Sequence, residues 1–566
     1  MGSTDKTKRI VSAVAATVVA LAAGTNYAYS AWAPQFGERM KLSSTEVNFI
    51  GAAGNLGMYA SGIPLGLLTD ARGPRLTTLL GAITLGVGYY PVYSAYEHGE
   101  GSLGAVLLSF FVFLTGFGSC SAFSASIKTA ASNFPDHRGT ATAFPLAAFG
   151  LSAFFWSTVS TIAFKDDTGR FLLLLALGTF SLNTVSIPFL RILPPSGPYA
   201  PLSSSELRAE SRPLRRTKSS EFSPHAGESD EAGTQSSSTL EPQRSVRGRS
   251  QSIVSNSHYP VHNSDVGETS SLVSKSRSSQ DSVNEGHPKH NTEEDHDDAL
   301  SDIGMDSPHP DIRGLAMLAK VEFWQLFLTM ALLSGLGLMT INNIGNSTKA
   351  LWNHYDDSAS AKFIQQRQVM HVSILSCGNF IGRLSSGMWP YMFVVLKPAN
   401  HPPLVGIGSD LLVKKLNMSR FWCLFISAVV FTGTQLAGAS IDNPNTLVIV
   451  SGLTGVAYGF LFGVFPSLVA HTFGIGGLSQ NWGAMTMAPV LSGNIFNMLY
   501  GSIYDKHSVV GPDGERDCPD GLGCYQAAYY TTFFSGLAGI VVCLWSITRE
   551  KRIHAHSKKA EHERLA

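Results

Sequence analysis

The stretch from Gly54 to Arg75 limits what this chain can fold into. An uncharged apolar run stepped with glycines at 54, 57, 62 and 66 stops in Asp70-Ala71-Arg72-Gly73-Pro74-Arg75, and a second apolar run follows at once. Those glycines fall near one helical face, and Gly62 with Gly66 forms the small-x-x-x-small step that lets another helix approach closely. A turn this short and charged must sit in water, while its flanks have the length a bilayer requires. The stretch reads as a helical membrane hairpin.

The rest of the chain repeats that pattern. Of 566 residues, 44% are hydrophobic and 14% charged, and the charge comes in blocks. Apolar runs at about 10–33, 46–68, 76–96, 103–130, 139–164 and 170–192 precede a polar stretch rich in Ser, His and both charge signs. Runs at about 321–343, 366–391, 419–440, 446–470, 482–503 and 526–548 follow it. The expected fold class is an all-α membrane protein: twelve transmembrane helices in two six-helix halves with a long disordered cytosolic central loop. The boundaries are a cytosolic N-terminus at 1–9, halves at 10–192 and 319–548, a linker at 193–318 and a cytosolic tail at 549–566. The Ala-rich end of the first run resembles a signal-peptide cleavage site, but Asn26, Tyr27 and Tyr29 inside the run, and the many spans after it, favour a retained helix. Met1-Gly2 followed by Lys6 does not make a myristoylation signal.

Internal similarity supports a duplicated unit. Gly54-Asn55 recurs as Gly378-Asn379 at an offset of 324, and Leu114-Thr115-Gly116 recurs as Leu453-Thr454-Gly455 at 339, with Phe134 and Phe473 equally placed after each. Basic residues set the orientation. With a cytosolic N-terminus the inner loops hold Lys6, Lys8, Arg9, Arg72, Arg75, Arg138, Lys397, Lys414, Lys415, Arg420, Arg549, Lys551 and Arg552, and the outer loops hold fewer. Cys518 and Cys524 then share an outer loop, where an oxidising compartment permits a small disulfide. The sequon Asn346-Ser347-Thr348 falls on the same side and is a candidate for glycosylation. Asn417-Met418-Ser419 faces the cytosol and should stay bare.

The linker places Ser beside basic residues in Arg215-Arg216-Thr217-Lys218-Ser219-Ser220, Arg247-Gly248-Arg249-Ser250 and Lys275-Ser276-Arg277-Ser278, as many kinases require. Glu268-Thr269-Ser270-Ser271-Leu272-Val273 resembles an acidic dileucine sorting signal with Val in the last place. Kinases and sorting adaptors are therefore expected partners there, alongside the lipid bilayer, with a plain solvated tether as the other reading. Formal net charge is zero and spread over loops, so no nucleic-acid partner is indicated. No His-Glu-x-x-His or Gly-x-Ser-x-Gly stretch stands in a suitable context, so no enzyme activity, cofactor or metal is expected.

The spacing Gly66-x-x-x-Asp70-x-Arg72-Gly73-x-Arg75 resembles the signature loop of the major facilitator superfamily. With Gly24-Thr25-Asn26-Tyr27, Gly54-Asn55-Leu56-Gly57 and the run Gly335 to Gly345, the chain resembles the nodulin-like branch and, within it, the fungal monocarboxylate-transporter homologues. The resemblance implies an alternating-access transporter, a vacuolar location with the plasma membrane as alternative, and a gate at Asp70, Arg72, Arg75, Gly66 and Gly73. The stretch Asn379-Phe380-Ile381-Gly382-Arg383-Leu384-Ser385-Ser386-Gly387 is similar to the eighth-span pattern Asp-x-x-x-Arg-x-x-x-Gly of monocarboxylate carriers, with Asn379 where they have Asp. An amide has no titratable proton to exchange, so the departure falls on the position that would carry proton coupling.

An ionisable group inside a bilayer costs roughly 2.5–3.5 kcal/mol on insertion scales and needs a reason. Matching Gly387 to Gly66 sets Tyr391 in the place of Asp70 and Arg383 about 12 Å above that edge, near the midplane. Asn379 lies one turn away on the same face. A carboxylate would neutralise the guanidinium through two parallel hydrogen bonds; the other reading is a latch between helices. Lys128 is a candidate second cation facing the cavity, or a lysine snorkelling to the interface. Asn26, Tyr27, Asn55, Asn342 and Asn343 are candidate cavity-lining polar groups, or bridges between helices. The expected function is secondary transport of a small organic solute, a monocarboxylate-like anion foremost. The alternative is a receptor on the same fold that signals through the Ser-rich linker.

Overall fold

A computed structural model describes residues 3–134, 138–165, 167–193, 312, 314–394, 421–473, 478–512, 514 and 516–565. The kinase and sorting motifs of the linker and the Asn417 sequon lie outside the described residues. Elements of the first half are α1 (Ser3–Ala23) with a 3-10 segment (Thr25–Ala31), α2 (Ala33–Met40), α3 (Ser44–Ala60), α4 (Gly62–Arg72), α5 (Pro74–His98), α6 (Ala105–Asn133), α7 (Arg138–Phe164) and α8 (Thr168–Ser186). The second half has α9 (Val321–Tyr355), α10 (Ala361–Val394), α11 (Phe421–Gly438), α12 (Val448–Phe473), α13 (Leu478–Met485), α14 (Met487–His507) and α15 (Gln526–Leu565). Taking α3 with α4 and α13 with α14 as single bent spans, each half has six crossings. Eight of the described helices are long and apolar enough to span by themselves. The others are α3–α4, α5, α10 and the α13–α14 pair, whose polar or glycine-rich faces turn toward other helices.

The bends have a shared cause. Proline lacks an N–H and its ring clashes with the carbonyl four residues earlier. Pro64 therefore breaks its span after Ala60, and Pro489 breaks the eleventh span after Met485. The two breaks meet: Thr486 Oγ1 donates to the Tyr59 carbonyl at 3.0 Å, and Gly483 lies against Ile63. The other major contact between halves pairs α7 with α10. Second span on eleventh and fifth on eighth are the same contact repeated by a twofold relation.

The duplication is visible in atoms, in a register that differs from the Gly-Asn match. A Cβ on Gly116 would strike the Gly54 carbonyl and Met58 amide, and one on Gly455 would strike the Leu375 carbonyl and Asn379 amide. Gly54 thus answers to Leu375 and Met58 to Asn379, an offset of 321 rather than 324. Gly57 and Gly378 agree, one against Phe113 and Phe117 and the other against Gly452 and Val456. The Gly-Asn coincidence is one helical turn out, because both helices carry glycines on the packed face at close to a turn's spacing. The corrected offset is the one that pairs Gly66 with Gly387, and it pairs Gly62 with Arg383. The buried cation therefore has no counterpart in the first half.

At the end of the bundle bearing the disulfide, called outer below, Cys518 is bonded to Cys524 beside a hairpin of β1 (Val509–Val510) and β2 (Arg516–Asp517). At the inner end α15 continues as helix to Leu565, well past the expected span end at 548.

Candidate functional site

Arg383 comes from α10 of the second half and ends among residues of the first. It is 3% exposed. Its Nε donates to Asn379 Oδ1 at 2.8 Å, Nη1 to the Leu146 carbonyl at 3.1 Å and Nη2 to the Tyr27 hydroxyl at 3.0 Å. Local packing makes this reach possible. Gly459 and Gly382 bring α10 and α12 into backbone contact, and a Cβ on Gly150 of α7 would press on Arg383 Nε and Asn379 Cγ, each at 3.2 Å. The bare flank at Gly150 lets the guanidinium lie along α7. Rings close the other sides: its carbon sits 5.9 Å from the centroid of Tyr27, 5.7 Å from Phe149 and 5.9 Å from Phe462. Such faces favour a cation, yet none carries a negative charge. Among the described residues the partners of Arg383 are all neutral, and no Asp or Glu is buried.

Buried amide nitrogens without partners are part of this interior. Asn379 uses its oxygen on Arg383 and leaves its buried Nδ2 unpartnered. The Nδ2 atoms of Asn55 and Asn342 are also buried without partners, at residues 5% and 4% exposed. Tyr59 and Tyr458 meet hydroxyl to hydroxyl across the halves at 2.6 Å, and Tyr458 packs edge-on to Tyr27. A buried unpaired N–H is costly, so the arrangement favours something that brings acceptors.

The expected polar set therefore divides. Tyr27 and Asn379 are brought together with Arg383, while Asn55 of α3 and Asn342 of α9 are buried without a described contact to it. Asn26 instead donates to the Gly54 carbonyl at 3.1 Å and ties the 3-10 segment to α3. Asn343 donates to Asn497 at 3.0 Å and to Met339, joining α9 to α14 within one half. The cavity role expected of Lys128 is corrected: its Nζ meets Asp70 at 2.6 Å, with both side chains about two-fifths exposed. One charged end of α6 thereby holds the expected gate. There Arg75 donates to the Leu190 and Pro188 carbonyls, Arg72 is exposed, and Gly73 turns the chain at a φ of +83° between α4 and α5. A Cβ on Gly66 would meet nothing within 4 Å among the described residues.

The glycosylation reading of Asn346 is also corrected. The sequon lies inside α9, Asn346 is half-buried, and Ser347 and Thr348 are fully buried. The neighbouring Gly345 amide donates to Ser30 across the halves. A glycosyl acceptor must be an accessible surface loop. Treatment with a glycosidase that removes N-linked sugars, and the substitution Asn346→Gln, should leave electrophoretic mobility unchanged; a shift in either would place this segment outside the bundle.

Sequence reasoning missed Phe149, Gly150, Tyr59 and Tyr458, since aromatics and glycines at helical spacing look like packing until the helices are assembled. It also missed Asp505, for which a signal existed. An acid in the last turn of a helix opposes the macrodipole and calls for a partner.

Comparison with known proteins agrees with this architecture. Residues 9–210 match the family model Nodulin-like. An uncharacterized membrane protein of Saccharomyces cerevisiae is 27% identical across 96% of this chain and 95% of its own. A probable transporter, mch1, of Neurospora crassa is 24% identical across 95% of this chain and 88% of its own. Among solved structures, a D-xylose-proton symporter superposes with a TM-score of 0.53 at 12% identity, over 95% of this chain and 96% of that one. A nucleoside transporter, NupG, gives 0.50 at 10% identity, over 94% and 98%.

Proposed function

We propose, for a chain that belongs to the nodulin-like branch of the major facilitator superfamily, that it is a secondary transporter and that its solute is a small organic anion of the monocarboxylate type. The observation that carries this is a guanidinium buried at the seam of two halves with only neutral partners. Placing a charge in the membrane interior costs several kcal/mol unless something compensates it. Here the compensation is incomplete, and the unpartnered Nδ2 of Asn379 adds a donor beside it. A carboxylate can take Nη1 and Nη2 together, displacing the Leu146 carbonyl and the Tyr27 hydroxyl. Because those two groups belong to the first half and Arg383 to the second, the solute would exchange a contact between halves for contacts to itself. That exchange is what alternating access needs: binding energy that differs between closed and open arrangements.

Asn379 and the lack of buried acids among the described residues argue that any coupled proton is not carried by a membrane carboxylate. The location assigned by resemblance to fungal members is the vacuolar membrane. A fluorescent tag on the C-terminus, imaged in the native cell, distinguishes it from the plasma membrane.

Proteoliposomes holding the purified protein test the solute class. Labelled pyruvate and lactate should accumulate faster than in empty vesicles and compete with one another, while an uncharged hexose should neither enter nor compete. Hexose entry with no carboxylate flux would overturn the assignment.

A further inference from the structure

The outer end of the bundle is held shut by carboxylates that reach from one half to the other. Asp505 stands in the last turn of α14, where the macrodipole disfavours an anion. Its side chain crosses to the start of α3. There Oδ1 accepts from the Ser44 amide at 2.7 Å, and Oδ2 accepts from the Thr45 amide at 2.8 Å and the Thr45 hydroxyl at 2.5 Å. The first amides of a helix have no partner within it and carry its positive end, so Asp505 moves from the wrong end of its own helix to the right end of another. Gly501 makes the approach possible, since a Cβ there would meet the Thr45 Cα at 2.7 Å. Ser43 and Glu46 complete the same helix start with a capping box, so Asp505 takes amides that the box leaves over.

A second clasp stands close by. Lys349 of α9 pairs with Glu38 of α2 in the other half and with Asp517 at 3.3 Å. Asp517 is next to Cys518 and also accepts from Asn353 at 2.7 Å. The Asp505 contact differs in that two of its three donors are backbone amides. No rotamer change on the α3 side can withdraw those two amides.

We propose that Asp505 is a positioning residue for transport, which sets how often the outer end opens by capping the second span from the eleventh. The proposal rests on the alternating-access reading, and its test needs no solute. Ser30 lies fully buried between the halves, its hydroxyl accepting from the Gly345 amide at 2.7 Å, and Ile63 lies at the inner seam against Gly483. Ser30→Cys is labelled with a membrane-impermeant maleimide from the disulfide side, and Ile63→Cys from the opposite side in inverted vesicles. Both are made in a chain whose Cys120, Cys377, Cys423 and Cys543 are replaced by serine.

With Asp505→Ala added, labelling at Ser30→Cys should quicken about tenfold and labelling at Ile63→Cys should slow, because one population shift moves the two ends in opposite senses. Asp505→Glu should return both rates toward the parent. Quicker labelling at both ends would mean general loosening and would overturn the proposal, as would unchanged rates in folded protein. Should the alanine variant fail to fold, Asp505→Asn keeps one acceptor, loses the other to an NH2 group and removes the charge. It should still raise outer labelling about threefold, and an unchanged rate there is equally fatal. If labelling responds as expected and no carboxylate is transported, the latch stands and the solute assignment fails.

Discussion

Arg383→Gln is expected to lower carboxylate uptake by about a hundredfold or more without lowering the melting temperature of the protein. Hydrogen bonds to a charged group contribute about 1.5–3 kcal/mol each, and a bound carboxylate would lose two of them together with the charge. The scaffold, by contrast, is relieved of an ion in a low-dielectric site, where replacing buried charge by neutral groups is often neutral or stabilising. Opposite signs for activity and stability separate a solute-binding arginine from one that only joins helices. A latch would show both falling together. Arg383→Lys should recover little, because three nitrogens now serve three directions, Asn379, Leu146 and Tyr27, and an ammonium at the end of a flexible stem cannot reproduce that fork. Uptake into proteoliposomes and thermal unfolding of the same preparations are the two measurements.

Gly116→Val and Gly455→Val are each expected to abolish recovery of folded protein. At both positions a Cβ would overlap a carbonyl of the neighbouring helix, Gly54 in one half and Leu375 in the other. Relief requires moving a whole helix, so the cost should reach about 3 kcal/mol or more, the upper end of overpacking. Gly66→Ala should go the other way. Its Cβ meets nothing among the described residues, and alanine is favoured over glycine by about 1 kcal/mol inside a helix. Size-exclusion profiles after heating would report the contrast. Equal loss at Gly66 and Gly116 would mean that the signature glycine packs as tightly as the seam glycines, contrary to the structure.

The pairing of these glycines shows how far the chain alone could be followed. The hairpin at Gly54 to Arg75 and the six-and-six division follow from apolar run lengths and from charge placement, which the bilayer enforces strongly, whereas the depth expected of Arg383 rests on matching Gly387 to Gly66. The register of the repeat does not. Gly54-Asn55 and Gly378-Asn379 look alike, but packing aligns Gly57 with Gly378, because a helix presents the same face again after one turn and letter matches cannot tell the turns apart. The choice between the cavity and interface readings of Lys128 is hidden for a related reason: its partner Asp70 sits far away in sequence and close only when α6 and the hairpin are folded together. Asn346 shows a motif overridden by its surroundings, since three residues that satisfy a sequon also satisfy a buried helix. Around Arg383 the legible part was its own helix, Asn379 included. The Leu146 carbonyl and the aromatic cage belong to the other half, and only assembly brings them there.

The matched elbows at Pro64 and Pro489 divide two spans at one level of the membrane. Above the elbows, Asp505 fastens the pair; below them, α4 and α13 are short arms with their own ends. A pair of short arms can swing on its elbows while the longer upper segments stay fastened. Spin labels on α4 and α13 should then show two separations under conditions in which labels on α3 and α14 show one. The inner door would bend at these elbows as it opens, with the outer ends shut, as the shared population shift requires.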